Sequence, residues 1–83
     1  MKQMSRVIEG VLVYDMINDR YQVRYGLEDF SAGLHCGETL QVLGCDKKWH
    51  DSRIEYSYET ESWYLVGFGR SFRLDGAKVK YFL

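Results

Sequence analysis

Apolar and polar residues alternate at every second position in several short runs of this chain. Leu40 and Val42 alternate in this way with polar neighbours. The same period returns in three other runs, at residues 21–25, 53–58 and 77–81. Because successive side chains of a β-strand point to opposite faces, this period predicts strands with one buried face. Residues 6–14 and 63–67 are more continuously apolar and rich in β-branched or aromatic side chains, which predicts two further strands.

Polar turns separate these runs about every eight to twelve residues, and no helical period extends beyond about two turns. This spacing predicts an all-β fold, a small barrel of five to six strands. One face of the strands should form a single core. The residues expected there are Leu40, Val42, Ile54, Tyr56, Trp63 or Leu65, and Val79. Tyr58 continues the period of Ile54 and Tyr56, and is expected on the same face.

The run 26–33 loses the two-residue period and is bounded by glycines. Such a stretch is typical of a connecting or functional loop between strands. Its two large apolar side chains, Leu27 and Phe30, are expected to pack against the barrel. The loop itself is a candidate part of a binding surface.

The length of 83 residues predicts one domain, 1–83, with residues 1–5 as a disordered N-terminus. Eleven Lys and Arg against 12 Asp and Glu give a net charge of −1, which disfavours nonspecific binding of nucleic acid. Two cysteines and the absence of a signal-peptide pattern favour a cytoplasmic protein. No apolar run approaches the ~20 residues that span a membrane, so no membrane contact is expected.

Four residues of the types that bind zinc occur in the chain: His35, Cys36, Cys45 and His50. Adjacent residues of a strand point to opposite faces, so His35 and Cys36 do not readily share one ion, and no Cys-x-x-Cys pair is present. We therefore expect no metal and no cofactor, with a buried Cys36 and a turn-exposed Cys45. A nucleophile with an adjacent base and a pocket is not evident either, so no enzyme activity is expected.

The order of elements resembles that of an SH3 domain. The resemblance rests on Tyr14-Asp15 at the end of the first strand, on Gly37-Glu38 before the central strand, and on Trp49 at the head of the next one. It implies an SH3-like barrel and an aromatic groove to which Tyr14 and Trp49 would contribute. In place of that family's proline and its serine-asparagine-tyrosine stretch, this chain has Gly69 to Leu74.

A second resemblance is carried by five stretches of the chain. They are Leu34 to Glu38, Trp49, Arg53 to Tyr56, Trp63 to Gly67, and Leu74 to Val79. These stretches resemble a family of short uncharacterised proteins from Firmicutes and their mobile elements. The resemblance implies a bacterial or phage origin and assigns a role to no residue.

These observations predict a non-catalytic module that binds a protein partner through an aromatic and charged surface. The residues predicted for it are Tyr14, Tyr25, Phe30, Trp49, Arg53 and Glu55. An alternative is binding of single-stranded nucleic acid through a basic stripe with aromatic rings for base stacking. Its candidates are Arg70, Phe72, Arg73, Lys78, Lys80 and Tyr81. A third hypothesis, suggested by the second resemblance, is a mobile-element inhibitor of a host enzyme or defence protein.

Overall fold

The structure, a computed structural model, describes residues 6–83, so the N-terminus predicted to be disordered, residues 1–5, lies outside the described residues. Six antiparallel strands form one sheet, and the described part of the chain contains no helix. The strands are β1 (Val7–Asp15), β2 (Arg20–Arg24), β3 (Thr39–Leu43), β4 (Trp49–Ser57), β5 (Ser62–Leu65) and β6 (Lys78–Phe82). The prediction of an all-β fold with five to six strands is confirmed.

The strand order in the sheet is β2-β1-β6-β3-β4-β5. Three hairpins connect neighbours in sequence, and the last strand, β6, enters the sheet between β1 and β3. Val79 of β6 pairs with Gly10 of β1 on one side and with Val42 of β3 on the other. The first and last strands, β1 and β6, therefore lie inside the sheet, whereas β2 and β5 form its two edges. The sheet encloses one core, as in a small barrel.

Nine apolar side chains form the buried core: Ile8, Leu12, Val23, Leu34, Leu40, Val42, Ile54, Leu65 and Val79. The predicted inward positions Leu40, Val42 and Val79 are among them, which confirms the inside and outside alternation of β3 and β6. Of the two options in β5, Leu65 is fully buried and Trp63 is half-buried. Tyr56 is also half-buried, because its ring lies towards the rim of the barrel.

The structure corrects four expectations about burial. Leu27 is 86% exposed and Phe30 46% exposed, so neither is packed into the barrel as predicted. The loop is attached by its backbone and by Ser31 instead, whose hydroxyl accepts a hydrogen bond from the Val23 N–H at 2.9 Å. Tyr58 is 85% exposed because β4 ends one residue before it. Cys36 is exposed rather than buried, since it lies in the turn that precedes β3.

The connection from β5 to β6, residues 66–77, crosses the end of the barrel to reach β1. Two backbone hydrogen bonds fix its far end, from the Leu12 N–H to the Ala77 carbonyl at 2.9 Å and from the Gly76 N–H to the Leu12 carbonyl at 2.7 Å. The Tyr14 N–H also donates to the Asp75 carboxylate at 3.1 Å. The connection therefore spans the gap between β5 and the β1–β2 hairpin.

Candidate binding site at the seam between β2 and β5

The two edge strands, β2 and β5, face each other across a gap that we call the seam. No backbone pairing joins them within residues 6–83. Side chains close the seam instead. The Trp63 indole N–H donates to the Asp19 carbonyl at 3.2 Å, and the Arg20 guanidinium lies 5.9 Å from the centre of the Trp63 ring. Trp63 thus holds the tip of the β1–β2 hairpin against β5.

Two hollows lie at the seam, and Trp63 lines both of them. The larger, of about 670 Å³, runs between β5 and the connection that follows it, and Tyr64, Phe68 and Phe72 also line it. The smaller, of about 560 Å³, is bounded by the hairpin tip and by Tyr58. Both volumes fall in the range of protein sites that take small molecules or side chains of a partner.

Aromatic rings in contact with one another lie along the seam. The centres of the Tyr56 and Trp63 rings are 5.1 Å apart, as are those of Tyr56 and Tyr58. On the hairpin side the Tyr14 and Tyr21 rings are 5.2 Å apart. We call these rings, together with Tyr64, which lines the larger hollow, the aromatic seam: Tyr14, Tyr21, Tyr56, Tyr58, Trp63 and Tyr64. Tyr14 and Tyr64 are each 41% exposed, so much of this aromatic area is open to a partner.

Three tyrosine hydroxyls of the aromatic seam, those of Tyr14, Tyr21 and Tyr56, have a raised pKa and stay protonated at neutral pH. The Tyr14 hydroxyl donates a hydrogen bond to the Asp19 carboxylate, which raises the pKa of Tyr14 to about 12. Burial raises the pKa of Tyr21 and of Tyr56. These groups therefore act as neutral hydrogen-bond donors and acceptors at the end of an apolar ring, the combination that is enriched at protein interfaces.

The hairpin tip beside the aromatic seam exposes two more apolar side chains. Met16 is 81% exposed and Ile17 is 92% exposed. The turn itself is held by Asp15, whose carboxylate accepts hydrogen bonds from the Ile17 N–H at 3.0 Å and the Asn18 amide at 2.7 Å. The bond from Asn18 lowers the pKa of Asp15. The tip is thus an ordered turn that presents apolar side chains to solvent.

The structure does not bring the predicted protein-binding residues into one surface. Trp49 lies on the outer face of the sheet, half-buried, with the Lys80 ammonium 4.4 Å from its ring centre. Arg53 and Glu55 are on the same face of β4 and form an ion pair of 2.7 Å. Tyr14 is two residues after the buried Leu12 in β1, so both side chains point to the inner face. Tyr14 therefore lies on the opposite face from Trp49. The groove that the SH3 resemblance implies from Tyr14 and Trp49 is not formed.

Tyr25 and Phe30 lie at the other end of β2 from Tyr14. The Tyr25 ring is half-buried, with the Arg6 guanidinium 5.8 Å from its centre. Phe30 forms an isolated bridge with Arg24, whose guanidinium lies 6.0 Å from the Phe30 ring. Of the six predicted residues, Tyr14 alone belongs to the aromatic seam.

The residues of the nucleic-acid alternative are also divided. Lys78 and Lys80 lie on the outer face of β6, where Lys80 pairs with Glu9 of β1. The Tyr81 side chain is on the inner face of β6, and its hydroxyl donates a hydrogen bond to the Glu38 carboxylate. Burial and this hydrogen bond raise the pKa of Tyr81 to about 12.

The remaining three residues of that set, Arg70, Phe72 and Arg73, belong to the connection after β5. Phe72 is half-buried and contacts Phe68 with ring centres 4.6 Å apart. The basic side chains therefore do not follow one strand, and neither Phe72 nor Tyr81 is a free stacking platform beside the β6 lysines.

The four potential zinc ligands lie in different places and do not form one site. His50 bonds through Nε2 to both carboxylate oxygens of Asp46, at 3.0 and 2.9 Å, and this hydrogen bond lowers the pKa of Asp46. His35 and Cys36 lie at the smaller hollow of the seam, and Cys45 is exposed in the β3–β4 turn. Within residues 6–83, no three His, Cys, Asp or Glu side chains are grouped closely enough to hold a metal ion.

The sequence reasoning missed Trp63, Tyr64 and Tyr58 as members of one surface. A signal for Tyr58 exists in the sequence, because the inward period of Ile54 continues through Tyr56 to Tyr58, past the length that the small core can bury. Where inward-facing positions continue beyond the end of the core, their side chains lie at the rim of the barrel. What the period does not show is that the β1–β2 hairpin folds over to meet the same rim.

Among residues 6–83, no helix has the length and apolar character that crossing a membrane requires.

Comparison with known proteins places the chain in a family. No curated protein matches it. A crystal structure of a protein from Ruminococcus gnavus is similar over 87% of this chain and 97% of that chain, with 47% identity and a TM-score of 0.75. The family model of a domain of unknown function, DUF5348, matches residues 10–81. These matches confirm the predicted resemblance to short uncharacterised proteins from Firmicutes, and the chain belongs to the DUF5348 family.

Proposed function

We propose that the chain is a non-catalytic module that binds another protein through the aromatic seam. The observation that carries the proposal is that Trp63 lies between two adjacent hollows whose rims are tyrosine rings open to solvent. Tyrosine and tryptophan supply large contact areas with few rotatable bonds, so fixing these side chains on binding costs little conformational entropy. These residue types also dominate the energetically important positions of protein interfaces.

Two further observations support a protein partner. Met16 and Ile17 extend the apolar surface from the seam onto the hairpin tip. The net charge of −1 gives the chain no strong positive field, and on the outer face Lys80 lies over the Trp49 ring and opposite Glu9 in the β1–β6 ladder. A polyanion gains little from such a surface, because its affinity depends on many basic contacts.

A non-catalytic role is supported by the hydrogen bonds of the candidate nucleophiles. Both cysteines are exposed in turns, and within residues 6–83 no serine, threonine or cysteine side chain is hydrogen-bonded to a histidine. Asp46 is the side-chain partner of His50. The pairing of nucleophile and base that covalent catalysis requires does not occur in this set.

The test is photocrosslinking from single exposed aromatic positions. A benzophenone amino acid replaces Tyr58 in one protein and Phe82 in a control protein, since Phe82 is also exposed, at 62%, but lies on β6. In a lysate of a Firmicute host, a discrete crosslinked protein is expected from position 58 and not from position 82.

The affinity of variants for the crosslinked partner then shows whether the aromatic seam binds it. The double variant Tyr58→Ala/Tyr64→Ala should lower it at least about tenfold, which corresponds to about 1.4 kcal/mol. Phe82→Ala should leave it within about twofold. Equal crosslinking from both positions, or equal affinity of both variants, would refute the aromatic seam as the binding surface.

A further inference from the structure

The strand β5 has one hydrogen-bonding edge that faces the seam. The Val66 N–H donates to the Arg53 carbonyl at 3.1 Å, which makes these residues a hydrogen-bonded pair of the antiparallel β4–β5 ladder. Because such pairs alternate, Ser62 and Tyr64 direct their backbone groups towards β4, and Trp63 and Leu65 direct theirs away from it. The Ile54 N–H donates to the Glu38 carbonyl, away from Leu65, which agrees with this assignment.

Three backbone groups of β5 consequently lack a backbone partner within residues 6–83. They are the Trp63 N–H, the Trp63 carbonyl and the Leu65 N–H, whereas the Leu65 carbonyl accepts from the Phe68 N–H at 3.1 Å. An edge of this kind is a template for an additional strand. Proline, a common guard of such edges, is absent from the chain.

The larger hollow of the seam runs along this same edge. One wall is β5 itself, with Trp63 and Tyr64, and the other is formed by Phe68 and Phe72 of the connection with Tyr21 of β2. Four residues of β5 correspond to roughly 13 Å of extended chain. A segment of similar length therefore has both main-chain partners and aromatic walls for its side chains.

The charges of the groove distinguish one class of occupant. Glu59, in the turn before β5, and Arg70, in the connection after β5, both line the hollow. Neither forms an ion pair within the described part of the chain. A complementary segment carries a basic residue beside Glu59 and an acidic residue beside Arg70, with aromatic or β-branched residues between them.

We propose that the seam binds an extended peptide segment of a partner protein as a seventh strand along β5, with this charge pattern. The proposal rests on the proposed function and names its partner chemistry. A second copy of this chain fits less well, because its own connection after β5 would have to enter the same gap. A single extended segment has no further chain attached along its other edge, so nothing else has to enter the gap.

The test begins with selection of eight-residue peptides from a random phage-displayed library on the purified protein. Synthetic versions of the selected peptides then receive one N-methyl group at each position in turn. Methylation removes an amide donor and blocks close approach of the two backbones, so it should lower affinity at least about tenfold at every second position. The intervening positions should change by less than about threefold. Amide exchange at Trp63 should slow in the complex.

Reversing the charges of Glu59 and Arg70 tests whether the charge pattern of the bound peptide is set by these two residues. Selection on Glu59→Lys/Arg70→Glu should return peptides with the opposite order of acidic and basic residues. The same order from both proteins would refute the charge complementarity. Both substitutions are at exposed positions, so melting curves should coincide with the wild type.

Other outcomes overturn the proposal in distinguishable ways. Peptides bound at the aromatic seam without an alternating methylation pattern, or proline-rich peptides, would contradict strand addition and leave the proposed function in place. A dimer in sedimentation that excludes the peptides would assign the edge to a second copy. If neither a peptide nor a crosslinked partner depends on Tyr58 and Tyr64, both proposals fail.

Discussion

The middle and the edges of the same sheet are held together by different kinds of contact. In the middle, β6 forms continuous backbone pairs with β1 and β3, over the fully buried Val42 and Val79. At the edges, β2 and β5 meet through the indole of Trp63 and the guanidinium of Arg20. The middle of the sheet supplies stability, whereas the seam leaves backbone groups unpaired and aromatic rings exposed, the features on which the proposed binding role rests.

The largest expected effect comes from removing a side chain in the middle of the sheet. Leu40 is 5% exposed, so Leu40→Ala should leave a cavity and lower the free energy of unfolding by about 2 to 5 kcal/mol. Gln41, its neighbour, points outwards and bonds Asp51 at 3.1 Å. Gln41→Ala should change stability by less than about half a kcal/mol. Urea unfolding of both variants measures this, and similar losses would show that the alternation is misassigned.

A second effect tests how closely the backbones approach in the same region. A Cβ at Gly10 would collide with the Arg24 carbonyl and would lie 3.1 Å from the Tyr25 Cα, both of them backbone atoms that cannot move aside. Gly10→Ala should therefore lower stability by about 1 to 3 kcal/mol.

The matched control for Gly10 lies beside the seam. At Gly69 a Cβ meets no atom within 4 Å, so Gly69→Ala should stay within about half a kcal/mol of the wild type. Thermal melts of the two variants give the comparison. An equal loss at both glycines would mean that the seam is as tightly packed as the middle of the sheet.

The same contrast explains what the sequence could predict. Alternation at Leu40, Val42 and Val79 identified the central strands because each has one buried face and one outer face. Ile8 and Leu12 were not singled out as core, because β1 is apolar on both faces and periodicity does not distinguish them. The class of fold and half of the core were therefore accessible from local pattern alone.

The candidate site was not accessible in this way. The SH3 resemblance associates Tyr14 with Trp49, yet the pairing register places these side chains on opposite faces of the sheet. The hairpin that carries Tyr14 is bonded across the seam, through Asp19, to Trp63, which lies 49 residues after Tyr14 in the chain. Contacts between the two edges of a sheet depend on its curvature, which no local pattern encodes.

A smaller effect is the part of the dependence of stability on alkaline pH that Tyr81 contributes in the middle of the sheet, besides the part that the seam tyrosines contribute. The folded pKa of Tyr81, about 12, is above its ordinary value of 10.0 because of burial and the bond to Glu38. The protonated phenol therefore stabilises the fold fully below pH 10, and this contribution is lost as the pH rises through 12. Tyr81→Phe should unfold with a shallower pH dependence over this interval.

The control for that measurement is Tyr58→Phe. The Tyr58 hydroxyl forms no side-chain hydrogen bond within residues 6–83, and its ring is exposed. Its variant should retain the wild-type dependence in denaturant titrations between pH 9 and about 12. Parallel curves for the wild type and Tyr81→Phe would contradict the role of the bond to Glu38.

The open edge of β5 is tested most directly by amide hydrogen exchange of the free protein, followed residue by residue with NMR. The ladder protects the Tyr64 and Val66 amides through their bonds to β4, whereas the Trp63 amide faces the seam. Trp63 should exchange at least about tenfold faster than Tyr64. Equal protection of the two amides would show that the seam is closed by backbone pairing, and would contradict the account of β5 as a free edge.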